Sequence, residues 1–360
     1  MTHWYYAPCP APCNQSRQSA RERQAQLTKP AGSLGRLEHI ALDFAAWQSR
    51  EKPVLNTVMV RVFAADHGVC AQNISAFPQE VTAQMVINFI NGGAAICVLS
   101  EVASADFAVV SMGLATPLPA IQSGQLQVRD IAAGTADCSQ TEAMTEAQMH
   151  SAMDIGREVV SAPIAVGECP QLFVGGEMGI GNTTSAAAIY AALLGISAEQ
   201  ACGPGTGLTE EGVSHKADIV AQALALHKLA DAVADDVSSG AEKVLRCVGG
   251  FEIAALVGGY IASAQQRVPS LVDGYITTAA ALLAVRINPS CRDWLLFAHQ
   301  SAEPAHHIAL ESLAAKPLID LGLRLGEGSG AATAVPLLKS ALALHNRMAT
   351  FEEAAVAAKL

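Results

Sequence analysis

A series of short apolar runs, each closing on glycine or a polar residue, constrains this chain more than any other feature. They read "TVMVRVFAADHG", "DFAVVSMG", "QLFVGGEMG", "SLVDGY" and "DWLLFAHQSAE". Between several of them lie alanine-rich stretches of helical character, such as Asn182 to Leu194 and Phe251 to Ala264. Near-continuous apolar strands alternating with helices need both sheet faces covered, so the expected fold is α/β: a Rossmann-like, doubly wound parallel sheet flanked by helices. In such sheets ligands bind outside the carboxyl ends of the strands. The polar residues of these runs collect at those ends. The first fifty residues are polar and then helical. In "KPAGSLGRLEHIALDFAAWQ", Ser33 is the expected N-cap, followed by Leu34, Leu37, Ile40, Ala41 and Phe44 at helical spacing. The expected layout is a core over residues 51–327 with a smaller helical domain built from 1–50 and 328–360.

Composition narrows the classes of partner. With 51% apolar and 15% charged residues, 360 residues can bury a large core. A net charge of −11 repels nucleic acid and anionic membrane, so neither is an expected partner. An anionic ligand would have to be bound by local cations and backbone dipoles against that field. The start "MTHWYYAPCPAPC" lacks the basic and apolar segments of a signal peptide, and no apolar run has the uninterrupted length of a membrane span. The nine cysteines are scattered, mostly within apolar runs, and read as reduced thiols; the expected location is the cytoplasm.

The motifs are glycine loops that also carry acids. "GEMGIGNT", Gly176 to Thr183, has the spacing of a triphosphate-binding loop, but Asn182 stands where the lysine belongs. That argues against an ATPase or kinase. The loop retains what one phosphate needs: N–H groups of Gly176, Gly179 and Gly181, the hydroxyls of Thr183 and Thr184, and a helix start. "GPGTG", with Gly205, precedes a helical stretch carrying Lys216. "RLGEGSGAA" sets Glu327 among glycines as "GGEMGIGNTT" sets Glu177. A carboxylate near a helix N-terminus is expected to stay ionised, ready to act as a base. The dull reading of each glutamate is a charge that merely stabilises its helix. "HQSAEPAHH" has no metal-ligand spacing, so no metal is expected. Asp66–His67 reads as an acid/base pair or as polar capping of a strand. "VADDVSSG" reads as a helix end entering a Ser-Gly turn rather than a ribose-binding acidic pair.

The ordered blocks "KPAGSLGRLE", "ADHGV", "GGEMGIGNTT", "GPGTG", "DGY", "HQSAEP" and "LGLRLGEGSGAA" resemble the nicotinate-nucleotide:5,6-dimethylbenzimidazole phosphoribosyltransferases, from about Lys29 to the C-terminal helix. The resemblance implies a homodimer that needs no cofactor. It implies transfer of 5-phosphoribose, with inversion, from nicotinate mononucleotide to 5,6-dimethylbenzimidazole, for the nucleotide loop of cobalamin. Glu327 falls on the family's catalytic base, with Glu177 the competing carboxylate. The phosphate loop falls on Met178 to Thr184, assisted by Lys216, with Gly205 and Ser301 as further substrate-binding residues. The base pocket falls on Phe77, the Gln84–Met85 neighbourhood, Met178 and Leu325. Phe77 replaces a hydroxylated residue of some relatives. Two rivals keep the same sequence features: a nucleotide-binding module without catalysis, and a transferase acting on another base such as adenine or a phenol.

Overall fold

The computed structural model describes residues 3–121, 123–205 and 207–357. Six strands form one sheet: β1 Val58–Ala65, β2 Asp106–Gly113, β3 Leu126–Val128, β4 Leu172–Met178, β5 Ser270–Val272 and β6 Leu295–Phe297. Their order is β3-β2-β1-β4-β5-β6, and every pairing is parallel. All eight residues of β1 are buried, as a strand covered on both faces requires. The expected α/β class is what the chain adopts. From β1 the chain builds outward through β2 and β3, then returns to add β4 on the opposite side. The order thus reverses between β1 and β4, the topological switch point near which such sheets bind ligands.

The apolar runs account for every strand but one. β3 is an edge strand of three residues, half-buried to exposed, so its segment "QLQVR" has none of the apolar continuity of the others. The helix after β4, Asn182–Leu194, is buried nearly all round, and Phe251–Gln265 is buried from Phe251 to Ala264. Their alanines let helix backbone approach the sheet closely.

Two local expectations are corrected. Ser33 does not cap the first core helix, which spans Arg36–Trp47 and starts after a run of turns with Gly35 as its N-cap. Glu38 supplies the first-turn partner instead: its carboxylate accepts from the Leu34 N–H at 3.0 Å and pairs with Lys29 Nζ at 2.8 Å. In "VADDVSSG" the helix Leu229–Asp235 does end, but no Ser-Gly turn follows. Asp236 accepts from the Ser239 N–H at 2.7 Å and caps a new helix, Val237–Val248, which contains both serines and Gly240.

The chain ends lie together. Arg23, on the helix Asn14–Gln26, donates to the carbonyls of His345, Asn346 and Met348 and so caps the helix Ser329–Arg347. Leu27 bridges to Thr350. Tyr5, Ile40, Phe44 and Leu338 from these ends belong to the same buried cluster as the sheet residues. The stretch Val81–Ala103 has the length and mean hydropathy of a membrane span, although Gln84, Asn88, Asn91 and Glu101 interrupt its apolar run. It is two helices, Val81–Ile90 and Ala95–Ala103, and each is far shorter than the roughly 20 residues a crossing needs.

Candidate active site

A cavity of about 430 Å³ opens at the carboxyl ends of β4, β5 and β6. β4 contributes Glu177 to Ile180 and then Asn182 and Thr183, β5 is followed by Asp273 to Thr277, and β6 leads to His299, Ser301 and Glu303. Arg324 to Glu327 close one side, while Phe77, Val81 and Met85 form an apolar wall.

Glu327 is held by an unusual backbone. Its φ is +65°, in the left-handed region that non-glycine residues rarely occupy, between Gly326 and Gly328 at +86° each. The loop lies on β4: a Cβ at Gly176 would stand 2.2 Å from the Glu327 carbonyl oxygen. Gly176 is therefore the space into which the Glu327 loop packs. Asp273, at the end of β5, fixes the start of the following helix by accepting from the N–H groups of Gly328 at 3.2 Å and Ala331 at 2.7 Å. The Glu327 side chain is 6% exposed, and its Oε2 is buried without a partner.

In both glutamates burial opposes the expected pull of the helix N-termini toward the ionised form. Burial pushes the Glu327 carboxyl up, and the neighbouring Asp273 adds to the rise. Glu177 is pushed well above the usual range by burial, then by Glu252 and Asp273. Asn182 donates its side-chain amide to Glu177. The residue that stands in for a phosphate-binding lysine thus serves a carboxylate. Desolvation outweighs the helix dipole because these side chains sit under the loops, away from solvent.

On the far side of the cavity, Lys216 is 1% exposed and donates from Nζ to Thr183 Oγ1 at 2.8 Å. Burial lowers its pKa. A Cβ on Gly205 would meet both Thr183 Oγ1 at 2.9 Å and Lys216 Nζ at 3.3 Å, so this backbone, the hydroxyl and the ammonium converge on one spot. Ser301 is buried, and its N–H donates to His306 Nδ1 at 2.8 Å. Because Nδ1 accepts there, Nε2 carries the proton and donates to Thr278 Oγ1 at 2.9 Å. His306 is neutral in this arrangement, its pKa pushed down to about 3 by burial.

Most sequence-derived candidates meet at this cavity: Phe77, Met85, Glu177, Met178, Gly179, Asn182, Thr183, Gly205, Ser301, Leu325 and Glu327. Phe77 and Leu325 are half exposed, at its mouth. Of the two alternatives on one helix turn, Met85 lines the wall and Gln84 points to solvent. Gly176, Gly181, Thr184 and Lys216 stand behind the lining. Gly181, at φ +98°, turns the chain into the helix Asn182–Leu194. Asp66 and His67 are buried beneath the site rather than in it. His67 Nε2 pairs with Glu252 Oε1 at 2.7 Å, and Ser185 Oγ lies 3.0 Å from Nδ1. Sequence reasoning misses Asp273, His299, Glu303 and Arg324 as site residues. The available signal is "DGY" and "HQSAE" at strand ends. Among the described residues no group of three His, Cys, Asp or Glu side chains could hold a metal.

A doubly wound sheet with convergent carboxylates, a glycine-threonine loop and a buried lysine at its strand ends defines an α/β enzyme acting on a small molecule. The chain belongs to a phosphoribosyltransferase family: the family model described as Phosphoribosyltransferase matches residues 9–356. Its relatives include the nicotinate-nucleotide–dimethylbenzimidazole phosphoribosyltransferases of Pseudomonas fluorescens and Pseudomonas aeruginosa. Both are 54% identical over 98% of this chain, covering 98% and 97% of theirs. CobT from Thermus thermophilus superposes with a TM-score of 0.87 at 44% identity, over 96% of this chain and 100% of that one.

Proposed function

We propose that this enzyme transfers 5-phosphoribose from nicotinate mononucleotide to 5,6-dimethylbenzimidazole, giving α-ribazole 5′-phosphate and nicotinate for the nucleotide loop of cobalamin. The observation that carries this reading is the unpartnered Oε2 of Glu327, buried in the same cavity that Thr183 and Gly205 line. The phosphate sits against Gly179, Thr183 and Gly205, with Lys216 behind them and Ser301 nearby. The flat base lies on Phe77, Met85, Met178 and Leu325, a wall of the apolar kind that an aromatic ring needs.

The leaving nitrogen of nicotinate mononucleotide is a pyridinium and departs neutral, so no general acid is required. One benzimidazole nitrogen attacks the anomeric carbon opposite the leaving group, which inverts β to α. The other ring N–H then becomes acidic, and Glu327 Oε2 takes that proton. Glu177 and Asp273 stand beside the reacting centre, where the cationic character of the transition state favours their ionised forms over the neutral ones that burial promotes. Residues 1–50 and 328–360 act as a smaller helical unit that begins directly after Glu327, the last residue of the core at 51–327.

The enzyme works as a homodimer in the cytoplasm. The exposed Val98 and Val102 on Ala95–Ala103 offer an apolar face for a second copy, and all nine cysteines are free thiols. Incubation with nicotinate mononucleotide and a panel of bases, followed by identification of the products, tests the reaction. Dimethylbenzimidazole should be ribosylated and nicotinate released. Binding without nicotinate release would leave only a nucleotide-binding module. Sedimentation at micromolar concentration tests the dimer.

A further inference from the structure

Glu303 is the one buried acid of this cavity that the reaction leaves without work. It lines the wall, is 6% exposed, and its Oε2 has no partner. The segment Gly203–Gly205 brings it to the phosphate corner. A Cβ on Gly203 would stand 2.2 Å from Glu303 Oε2, while two residues on Gly205 abuts Thr183 Oγ1 and Lys216 Nζ. A carboxyl group and an ammonium therefore flank the same few backbone atoms. Among the described residues, neither Lys216 nor Arg324 forms an ion pair with Glu303.

An ionised carboxylate facing a phosphate dianion would oppose binding in a chain that already carries −11. A protonated one would instead donate a hydrogen bond to a group that mostly accepts. We propose that Glu303 binds the nucleotide's phosphate in its protonated form, so that nucleotide binding takes up a proton from solvent, held between Oε2 and a phosphate oxygen. This rests on the phosphoribosyl reading and deepens it.

The surroundings agree. Burial raises the Glu303 pKa, while Lys216, Arg324 and the Gly205 backbone favour the charged form. A phosphate seated on those cations removes their support for the carboxylate, which tips it to the acid. Of the other groups that face it, three keep one protonation state across neutral pH. Cys202 is pushed up to about 11 and the Tyr275 phenol well above its usual value, while His306 is neutral down to about 3. His307 is exposed, with Nδ1 on the Pro304 carbonyl at 2.7 Å.

The sign follows. Protonation is favoured in the complex, so affinity is highest on the acid side and weakens as pH rises between the free and bound pKa values of Glu303. Calorimetric titration of the full-length protein with nicotinate mononucleotide, in buffers of different ionisation enthalpy, measures the protons taken up. Wild type should take up a substantial fraction of one proton near neutral pH. Glu303→Gln, which offers a permanent N–H donor, should bind with little proton uptake and a flatter pH profile. Its residual slope is that of the phosphate's own second ionisation near pH 6. Nicotinate, without a phosphate, should show no uptake with either protein. Absence of uptake by wild type across mildly acid to mildly alkaline pH overturns the proposal, whether or not the variant folds, and so does equal uptake by Glu303→Gln. If the nucleotide is turned over normally in that case, the phosphoribosyl reading survives. If wild type does not bind the nucleotide, both readings fall.

Discussion

A Cβ placed on Gly326 would lie 2.4 Å from Oε1 of Glu177, so the loop that presents Glu327 rests directly on the other carboxylate of the site. Two acids far apart in sequence are thereby set in one geometry by a residue without a side chain. At φ +86° Gly326 is also in backbone territory that costs an L-residue strain. Gly326→Ala should displace Glu327 and destabilise the fold by about 1–3 kcal/mol. A displacement of about 1 Å at the reacting group should lower kcat by roughly 10²-fold. Steady-state kinetics beside thermal unfolding separates the two effects. Unchanged kcat would show that the loop tolerates the shift.

Glu327→Gln keeps shape and hydrogen-bonding capacity but cannot take a proton. The expected fall in kcat is about 10²–10⁴, with nicotinate mononucleotide binding nearly unchanged. Because burial and Asp273 raise the Glu327 pKa, its basic form accumulates only as pH rises. Wild-type kcat/KM should therefore climb from the acid side through that raised pKa, and the climb should vanish in the variant. Glu177→Gln is the companion measurement. Near-normal turnover by Glu327→Gln beside an inactive Glu177→Gln would move the base to Glu177.

Lys216 donates to Thr183 from a fully buried position, and a buried ammonium is costly until an anion meets it. Lys216→Met keeps the bulk and drops the charge. Nucleotide binding should weaken by about 1.5–3 kcal/mol, the worth of a charge-assisted hydrogen bond. Nicotinate should bind as before, and the melting temperature should hold or rise. Parallel losses for nucleotide and nicotinate would mean that Lys216 acts through folding.

His306 supplies a pH signature of stability. Its folded pKa, about 3, lies below the unfolded 6.5, so the unfolded chain binds the proton first. Stability is complete above pH 6.5 and drains as pH falls toward 3, by up to about 5 kcal/mol for this group. His306→Asn should be less stable at neutral pH but should lose much of that slope. Thermal melts across the acid range read it directly, and an unaltered slope would assign it to the carboxylates.

What could be read from sequence was what is local. β1, β2 and β4 are buried on both faces, and their apolar continuity states it. Glu177 and Glu327 stood out because an acid among glycines is odd in any fold. β3 escaped because an exposed edge of three residues needs no apolar run. Ser33 misled because the helix starts only after the turns that follow it, with Gly35 at the N-cap and Glu38 taking the Leu34 N–H. The protonation tendency of the two glutamates was out of reach. It arises from one loop folding over another and from Glu252 and Asp273, which are distant in the chain. Glu303 likewise becomes legible only when Gly203 is seen pressed against it.

The helix Ser329–Arg347, which begins next to Glu327 and is closed at its far end by Arg23, sets an order on the birth of the enzyme. A chain leaving the ribosome has emitted every strand, the glycine-threonine loop and Lys216 before this helix can emerge. On the roles proposed above, the residues that would hold the phosphate are made before the helix that fixes Glu327. On the role proposed for Glu327, turnover waits for the last long helix to meet the first, and a chain cut short before it would also leave the core without Val335, Leu338 and Leu342.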